Sequence, residues 1–261
     1  MTAVDLVAGR LTPLIGQETR RLVRHPVLWL VPVIVLVAAA LDKAGGGRNA
    51  AYWYGTIYTG LAFFGPIFVL FAANLVASGA RRGRAEEALS VTPSTDTRRT
   101  WAMCLGVALP PAGIGAVLVG AMALLDSAYY IPPDTQLSAG ELAQLPVVLA
   151  GAGLLGVLAA RRLPFTGGVL ITFVAATLGG VVVFGRFTTG IWWMWWTTGY
   201  TFENRAPVAG NPWLHAAYLV GLCACAALAA VHRDRARWNR LALSGVPTAA
   251  VTLLLGWLQL P

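Results

Sequence analysis

The residues best able to take part in polar chemistry form one charged run, from Arg81 to Arg99. Three arginines open the run, two arginines close it, and two adjacent glutamates, Glu86 and Glu87, lie between them. The residues around the glutamates favour a short helix that Pro93 would end, because the residue before a proline disfavours helical geometry. Side chains of both signs suit ion pairs with a protein partner, whereas arginines alone would be enough to orient neighbouring membrane spans. The run therefore predicts either a docking surface or a solvated connector.

No other set of residues has the spacing of a catalytic or metal site. The histidines His25, His215 and His232 are far apart in the sequence, and the three cysteines fit neither a zinc pattern nor a CxxC redox pair. Residues 151–156 match GxGxxG, but they lie in an apolar stretch with no preceding strand, so close helix packing explains them better. No GxxxxGK[ST] phosphate loop is present. We therefore expect no catalytic, metal-binding or cofactor-binding residue, and the chain is not predicted to be an enzyme.

The composition predicts a membrane protein. Of the 261 residues, 57% are hydrophobic and only 11% are charged, whereas a soluble domain carries about 25% charged residues. Apolar segments of about 20 residues recur along the chain, and segments of that length cross a bilayer as helices. Open β-structure is excluded at that depth because lipid offers no partner for unpaired backbone groups. The expected fold is therefore an all-α polytopic membrane protein.

The apolar segments predict about six transmembrane helices and a possible seventh at the carboxyl-terminal end. The predicted spans, which form a single transmembrane domain at 26–260, are residues 26–41, 56–78, 100–125, 142–160, 165–184, 213–231 and 241–260. Residues 1–25 mix apolar and charged side chains, which predicts an amphipathic helix at the membrane interface. Between the second and third spans, residues 79–99 form a polar loop that contains the charged run.

The distribution of basic residues predicts the orientation of these spans. With the amino terminus inside, the inner segments hold fifteen of the nineteen lysines and arginines, and the outer segments hold four. An excess of lysine and arginine marks cytoplasmic loops. We therefore expect a multi-pass protein of the plasma membrane with a cytoplasmic amino terminus. The net charge of +8 does not indicate nucleic-acid binding, because the arginines lie at the ends of apolar segments rather than in one basic domain.

An aromatic stripe on the second predicted span is a candidate pathway for a substrate. Phe64, Phe68 and Phe71 recur at helical spacing on one face, and Asn74 lies on an adjacent face. Such a stripe more often serves helix packing or lipid contact. The alternatives are therefore a substrate pathway and a packing surface. The predicted spans contain almost no Asp, Glu, Lys or Arg, whereas ion-coupled carriers typically keep such a residue at depth. A self-sufficient carrier is therefore disfavoured, and energy for transport is expected to come from another protein.

A run of tryptophans between the fifth and sixth predicted spans is too short to cross the membrane. It lies between polar stretches and comprises Trp192, Trp193, Trp195 and Trp196, interrupted by one methionine. Tryptophan is enriched at membrane interfaces because its ring is amphipathic. The run is therefore predicted to be an interfacial anchor or a re-entrant element that acts as an outer gate.

The sequence resembles the permease subunits of the ABC type-2 exporter family, particularly those of high-GC Gram-positive bacteria. The resemblance covers most of residues 15–231 and is carried by QETRRLVRHP at 17–26, RRGRAEEALSVTP at 81–93 and RRT at 98–100. Members of this family have six spans with both ends cytoplasmic, so the apolar stretch at 241–260 departs from the pattern. They also tend to have a re-entrant element between the fifth and sixth spans, which the tryptophan run resembles.

The resemblance implies a function and a set of partners. In that family the loop between spans two and three carries a coupling helix that docks into a separate ATPase, which implies docking roles for Arg84, Glu86, Glu87 and Leu89. ATP and magnesium would bind that partner, and a second permease copy or a sister permease would complete the pathway. The chain would then be the membrane subunit of an exporter for a hydrophobic or amphipathic substrate. The alternative is a non-transporting anchor or regulatory subunit that docks a cytoplasmic partner.

Overall fold

The computed structural model describes residues 3–44, 55–58, 60–79, 95–128, 137–163, 165, 167–186, 211–232 and 238–258. Within these ranges all regular structure is helical. In chain order the helices are α1 (Ala3–Val23), α2 (Pro26–Ala44), α3 (Gly55–Ala77), α4 (Asp96–Ala128), α5 (Ala139–Arg162), α6 (Gly168–Arg186), α7 (Pro212–Val231) and α8 (Trp238–Leu258). Part of α3, Gly60–Phe64, is π-helical.

Four helices are long and apolar enough to cross a membrane, namely α3, α4, α5 and α7. A fifth crossing follows if α1 and α2 form one broken span, since Leu11–Val23 and Pro26–Leu41 qualify jointly and meet at 55°. The described apolar stretches of α6 and α8 are shorter, Gly168–Leu178 and Leu243–Leu258. The all-helical fold is therefore confirmed, with four to five candidate crossings where the sequence predicted six or seven.

Helix α5 is the centre of the bundle, because α3, α4 and α7 all pack along it. Two of its glycines lie in the GxGxxG run and permit this packing. A Cβ atom added at Gly156 would lie 2.5 Å from the Leu70 carbonyl oxygen of α3, and one added at Gly153 would lie 3.2 Å from Val107 of α4. Small residues let helix backbones approach closely in membrane bundles. The glycine pattern is thus explained by helix packing.

The contacts of α5 also give the direction of its neighbours. Along α3, Gly65 lies beside Leu149 and Leu70 lies beside Gly156, so α3 and α5 run the same way. Helix α4 runs the opposite way, since its first turn contacts Arg161 and its Gly115 lies beside Pro146. One end of the bundle therefore brings together the last residues of α3, α5 and α7 and the first residues of α4. We call it the arginine end, after Arg161 and Arg162.

Helix α1 uses one face to pack against α4. Leu22 is fully buried, and the Thr19 hydroxyl donates a hydrogen bond of 3.1 Å to the Gly106 carbonyl oxygen. The opposite face carries exposed side chains that include Gln17, Arg20 and Arg24. The amphipathic pattern expected for the amino-terminal segment is present over residues 11–23, and its buried face contacts protein.

Replacing Gly106 with leucine is expected to displace α1 from α4. A Cβ atom at Gly106 would lie 2.8 Å from the Ile15 carbonyl oxygen and 2.9 Å from the Glu18 Cβ atom, so backbone must move. Overpacking of this kind costs about 1–3 kcal/mol. Trypsin should then cleave faster after Arg20 in detergent-purified protein. The matched control is Gly113→Leu on the same helix, where nothing lies within 4 Å of the added atom. Equal cleavage rates in both variants would contradict this packing.

Candidate functional site

The predicted docking residues and the tryptophan run lie outside the described residues. This applies to Arg84, Glu86, Glu87 and Leu89 and to Trp192, Trp193, Trp195 and Trp196. The structure does describe both sides of the charged run, up to Gly79 at the end of α3 and from Thr95 before α4. These two flanks connect the charged run to the helical bundle.

The α3 flank is held to the centre of the bundle by Asn74. Its amide nitrogen Nδ2 donates a hydrogen bond of 3.2 Å to the Gly156 carbonyl oxygen of α5. One turn later, the Ser78 hydroxyl donates to the Asn74 carbonyl oxygen at 2.6 Å, and the Ser78 backbone N–H donates to the same oxygen at 2.9 Å. Asn74, a candidate pathway residue from the sequence, is therefore placed as a link between α3 and α5.

Helix α1 reaches the same flank. A Cβ atom added at Gly79 would lie 3.3 Å from the Arg21 guanidinium nitrogen Nη2. Arg21 also forms an ion pair of 3.2 Å with Glu18, one turn earlier on α1. Gly79, two residues before the charged run, thus lies beside a helix that also packs against α4.

The α4 flank is held to α5 by Arg161. Its guanidinium Nη2 donates to the Asp96 carboxylate at 2.7 Å and also to the Thr100 hydroxyl. The arginine side chain is 15% exposed, whereas the aspartate side chain is 64% exposed. Because the carboxylate is largely in solvent, this pair contributes no more than about 1 kcal/mol by itself. The hydrogen bond to the buried Thr100 hydroxyl fixes the position of the guanidinium relative to α4, because the hydroxyl is held in one place.

Arg162 holds the end of α7 to the same place. Its Nη2 donates to the carbonyl oxygens of Ala229 at 2.7 Å and His232 at 2.9 Å, and its Nε donates to Ala229 at 3.0 Å. The last carbonyls of a helix lack partners inside the helix, and a basic side chain stabilises them. Two adjacent arginines therefore tie two different helices to α5. By sequence alone, both arginines count only as signals of membrane orientation, so this role was not predicted.

Removal of the Arg161 guanidinium should loosen α4 without unfolding the bundle. In Arg161→Met the apolar stem is retained while the bonds to Asp96 and Thr100 are lost, so we expect about 1–2 kcal/mol of destabilisation. Asp96→Asn should cost less than about 1 kcal/mol, because that carboxylate is mostly exposed. Thermal unfolding in detergent measures both losses, with Arg24→Met, an exposed arginine immediately after α1, as control. A larger loss in Asp96→Asn than in Arg161→Met would refute this assignment.

An apolar pocket of about 320 Å³ lies between α3, α5 and α6. Its lining residues are Phe63, Phe64, Pro66, Ile67 and Leu70 of α3, Ala152 and Leu155 of α5, and Phe173, Ala176 and Thr177 of α6. Among these described residues, Thr177 is the only one with a side-chain hydroxyl. The pocket is open at one side, where Phe64 is 51% exposed. Its chemistry suits a hydrocarbon group.

The structure divides the aromatic stripe that the sequence placed on one face. Phe64 lines the pocket, whereas the Phe71 ring packs against Phe173 of α6 with ring centroids 6.2 Å apart and a tilt of 52° between the ring planes. Phe68 packs against the core of the bundle. The pocket lining also includes residues that the stripe did not contain, such as Ile67 and Leu155. The helical repeat of α3 carries no information about the lining residues on α5 and α6, so these could not be predicted from it.

At the opposite end of the bundle, polar side chains form hydrogen bonds with backbone groups at the helix ends. Ser138 and Glu141 form a reciprocal capping box at the start of α5. The Gln144 amide nitrogen donates to the Pro212 carbonyl oxygen of α7 at 2.9 Å, and Asn211 caps α7. Among the described residues, no group of three or more His, Cys, Asp or Glu side chains could hold a metal ion.

The geometry thus offers two features with functional potential, the tied flanks of the charged run and the apolar pocket. Comparison with known proteins gives no family, because no family model, no curated protein and no solved structure matches the chain.

Proposed function

We propose that the chain is the membrane subunit of an ATP-driven exporter and that a separate ATPase docks on residues 79–99. The observation that carries the proposal is the attachment of both flanks of this loop to α5. Asn74 ties the α3 flank, and Arg161 ties the α4 flank. A partner that pushed the loop would therefore move three packed helices together, which is what conversion of ATP binding into motion requires.

The proposed cycle is a rigid-body alternation of two permease copies, or of this chain and a sister permease. ATP and magnesium bind the partner ATPases, whose closure displaces the two loops. Because helix interfaces built on glycine are close-packed, the displacement is transmitted rather than absorbed. The α3–α5–α6 pocket would receive an apolar part of the substrate. The substrate is accordingly proposed to be hydrophobic or amphipathic.

We further propose six to seven crossings with the arginine end in the cytoplasm. Two features support the additional crossings. Helix α8 packs on α7, where Thr252 is buried against Gly221, and the described part of α6 presents exposed apolar side chains such as Ile171 and Leu178. The positive-inside rule favours a cytoplasmic position for the end that holds Arg161 and Arg162. This arrangement gives a plasma-membrane protein with its amino terminus inside and, with α8 crossing, its carboxyl terminus outside.

The second candidate function is that of a non-transporting anchor. The hydrogen bonds of Asn74 and Arg161 to the flanks of the loop also support it. Loop flanks fixed to α5 would hold a docked partner firmly even if no helix moved. The apolar pocket then has no role in transport and would be filled by lipid.

Proteoliposomes that contain the chain and its ATPase test the proposal. With ATP and magnesium, a fluorescent amphipathic probe should move across the membrane, and omission of either protein should stop the movement. Binding of the ATPase without any ATP-dependent movement, across a broad panel of probes, would favour the anchor. Gradient-driven flux through the chain alone would contradict both candidates.

A further inference from the structure

We infer that the α3–α5–α6 pocket and Arg162 together bind an anionic amphiphile with a single hydrocarbon chain, the tail in the pocket and the head at the arginine. This inference rests on the proposed export function and deepens it by naming the substrate class. Four features support it: the position of the pocket along α5, its lining, the charge of Arg162, which has no carboxylate partner among the described residues, and the limited contacts of the described part of α6.

The pocket and the arginine are separated by the distance expected between a tail and a head group. On α5, Leu155 lines the pocket and Arg162 follows seven residues later, two turns along the same face. Seven residues of helix rise about 10 Å. Half of the hydrocarbon core of a bilayer is about 15 Å thick. With Arg162 at the interface, Leu155 therefore lies well inside the hydrocarbon region.

The lining excludes a polar group from the pocket itself. Of the ten described residues that line it, only Thr177 has a polar side chain, and the others are apolar. A buried polar group without a hydrogen-bond partner costs several kcal/mol, so a head group would not enter. The volume of about 320 Å³ is at the low end of the range for ligand pockets, about 300–1,000 Å³. One chain fits this description better than the two chains of a phospholipid.

Arg162 supplies the charge for the head group. Its hydrogen bonds in the described structure go to the carbonyl oxygens of Ala229 and His232, which are neutral. These bonds hold the guanidinium in place and leave its charge without a carboxylate partner among the described residues. The side chain is also exposed, so an anion can reach it. The first turn of α6, from Gly168, adds the positive end of a helix dipole nearby in the chain.

The described part of α6 makes few contacts with the rest of the bundle, which would let this helix move to admit a chain. Its Phe173 packs against Phe71 of α3, but Leu170, Ile171 and Leu178 are each more than half exposed. Helices α3, α4 and α7 are in much more extensive contact with α5. The mobile wall of the pocket would thus be α6, and the fixed wall would be α3 and α5.

A photo-crosslinking experiment on the purified chain in phosphatidylcholine nanodiscs tests the tail site. The probe is hexadecanoic acid with a diazirine halfway along its chain, and adducts are mapped by peptide mass spectrometry. Adducts should fall on pocket residues of α3 and α6. Ala176→Phe, which fills the pocket from the α6 side, should reduce them about tenfold. The matched control is the exposed neighbour, Ala175→Phe, which should leave them unchanged. Equal labelling of both variants would overturn the tail site.

The head-group site is tested with the same probe and its alcohol analogue, diazirine-bearing hexadecanol. Arg162→Gln should lower adduct formation by the ionised acid about tenfold, since a hydrogen bond to a charged group is lost, and should change the alcohol little. Equal loss for acid and alcohol would overturn the assignment of Arg162, because it would indicate a purely structural role.

Two further comparisons separate the possible sources of the signal. Unlabelled hexadecanoic acid should compete with the probe, whereas phosphatidylglycerol, which has two chains, should compete weakly. Stronger competition by the phospholipid would overturn the single-chain assignment. Neither comparison needs an ATPase, so their failure beside intact ATP-driven transport would reject this inference and leave the proposed function standing. Success here with no transport would reject the function instead.

Discussion

The substitution Gly156→Leu is expected to separate α3 from α5 and to be the most destabilising single change in the bundle interior that we consider. A Cβ atom at this position would lie 2.5 Å from the Leu70 carbonyl oxygen, 2.8 Å from the Ala73 Cβ atom and 3.0 Å from the Asn74 nitrogen. Two of these atoms belong to the α3 backbone, so no side-chain rotation can relieve the overlap. The loss should exceed about 3 kcal/mol, beyond the usual range for overpacking.

The consequence would reach the charged run. Separation of the helices also breaks the bond from Asn74 to the Gly156 carbonyl oxygen. Thermal unfolding in detergent should show a large fall in the midpoint or no folded protein. Gly120→Leu on α4 is the control, because the added side chain meets nothing within 4 Å. A Gly156→Leu protein as stable as this control would show that α3 and α5 do not pack as described.

The second large effect is expected from reversal of charge in the docking loop. In Glu86→Lys with Glu87→Lys, the proposed ATPase should no longer copurify with the chain in detergent. Truncating one partner of an interfacial charge pair costs about 2–5 kcal/mol, so reversing two carboxylates should weaken binding by at least about a hundredfold. Asp126→Lys, at the far end of α4 from the loop, is the control and should leave binding intact. Unchanged copurification would rule out docking through these glutamates.

The fold class was predictable because it depends on averages along the chain. A charged fraction of 11% and repeated apolar segments leave few alternatives to helical spans. The number of crossings was harder, since the described apolar parts of α6 and α8 are short. The boundary between α1 and α2 was predicted at residues 25 and 26, but the sequence did not indicate that the two helices could form one broken crossing bent by 55°.

The roles of Arg161 and Arg162 could not be read from the sequence. Two arginines at the end of an apolar segment have the same appearance whether they orient a span or bind neighbouring helices. The distinction depends on Asp96 and on the end of α7, which lie 65 or more residues away along the chain. Long-range contacts of this kind have no local signal.

Of the four residues predicted as a pathway lining, Phe64 is the one that lines the pocket. The prediction of one phenylalanine face assumed an α-helical repeat throughout the span. Gly60–Phe64 is π-helical, so the residues before Gly65 are rotated about the helix axis relative to those after it. The other walls come from α5 and α6, so their lining side chains had no reason to stand out. By contrast, the glycines at 153 and 156 were correctly attributed to close packing, because GxGxxG within an apolar helix has few other uses.

The central claim is that a separate ATPase docks on the loop after α3, and a crosslinker at position 89 tests it most directly. A photoreactive amino acid would replace Leu89 in living cells, and the adduct would be purified and sequenced. The account predicts a crosslink to a protein that carries a phosphate-loop motif and hydrolyses ATP. Reaction of a cysteine at the same position with a membrane-impermeant reagent added outside the cells, with no ATPase adduct, would contradict it.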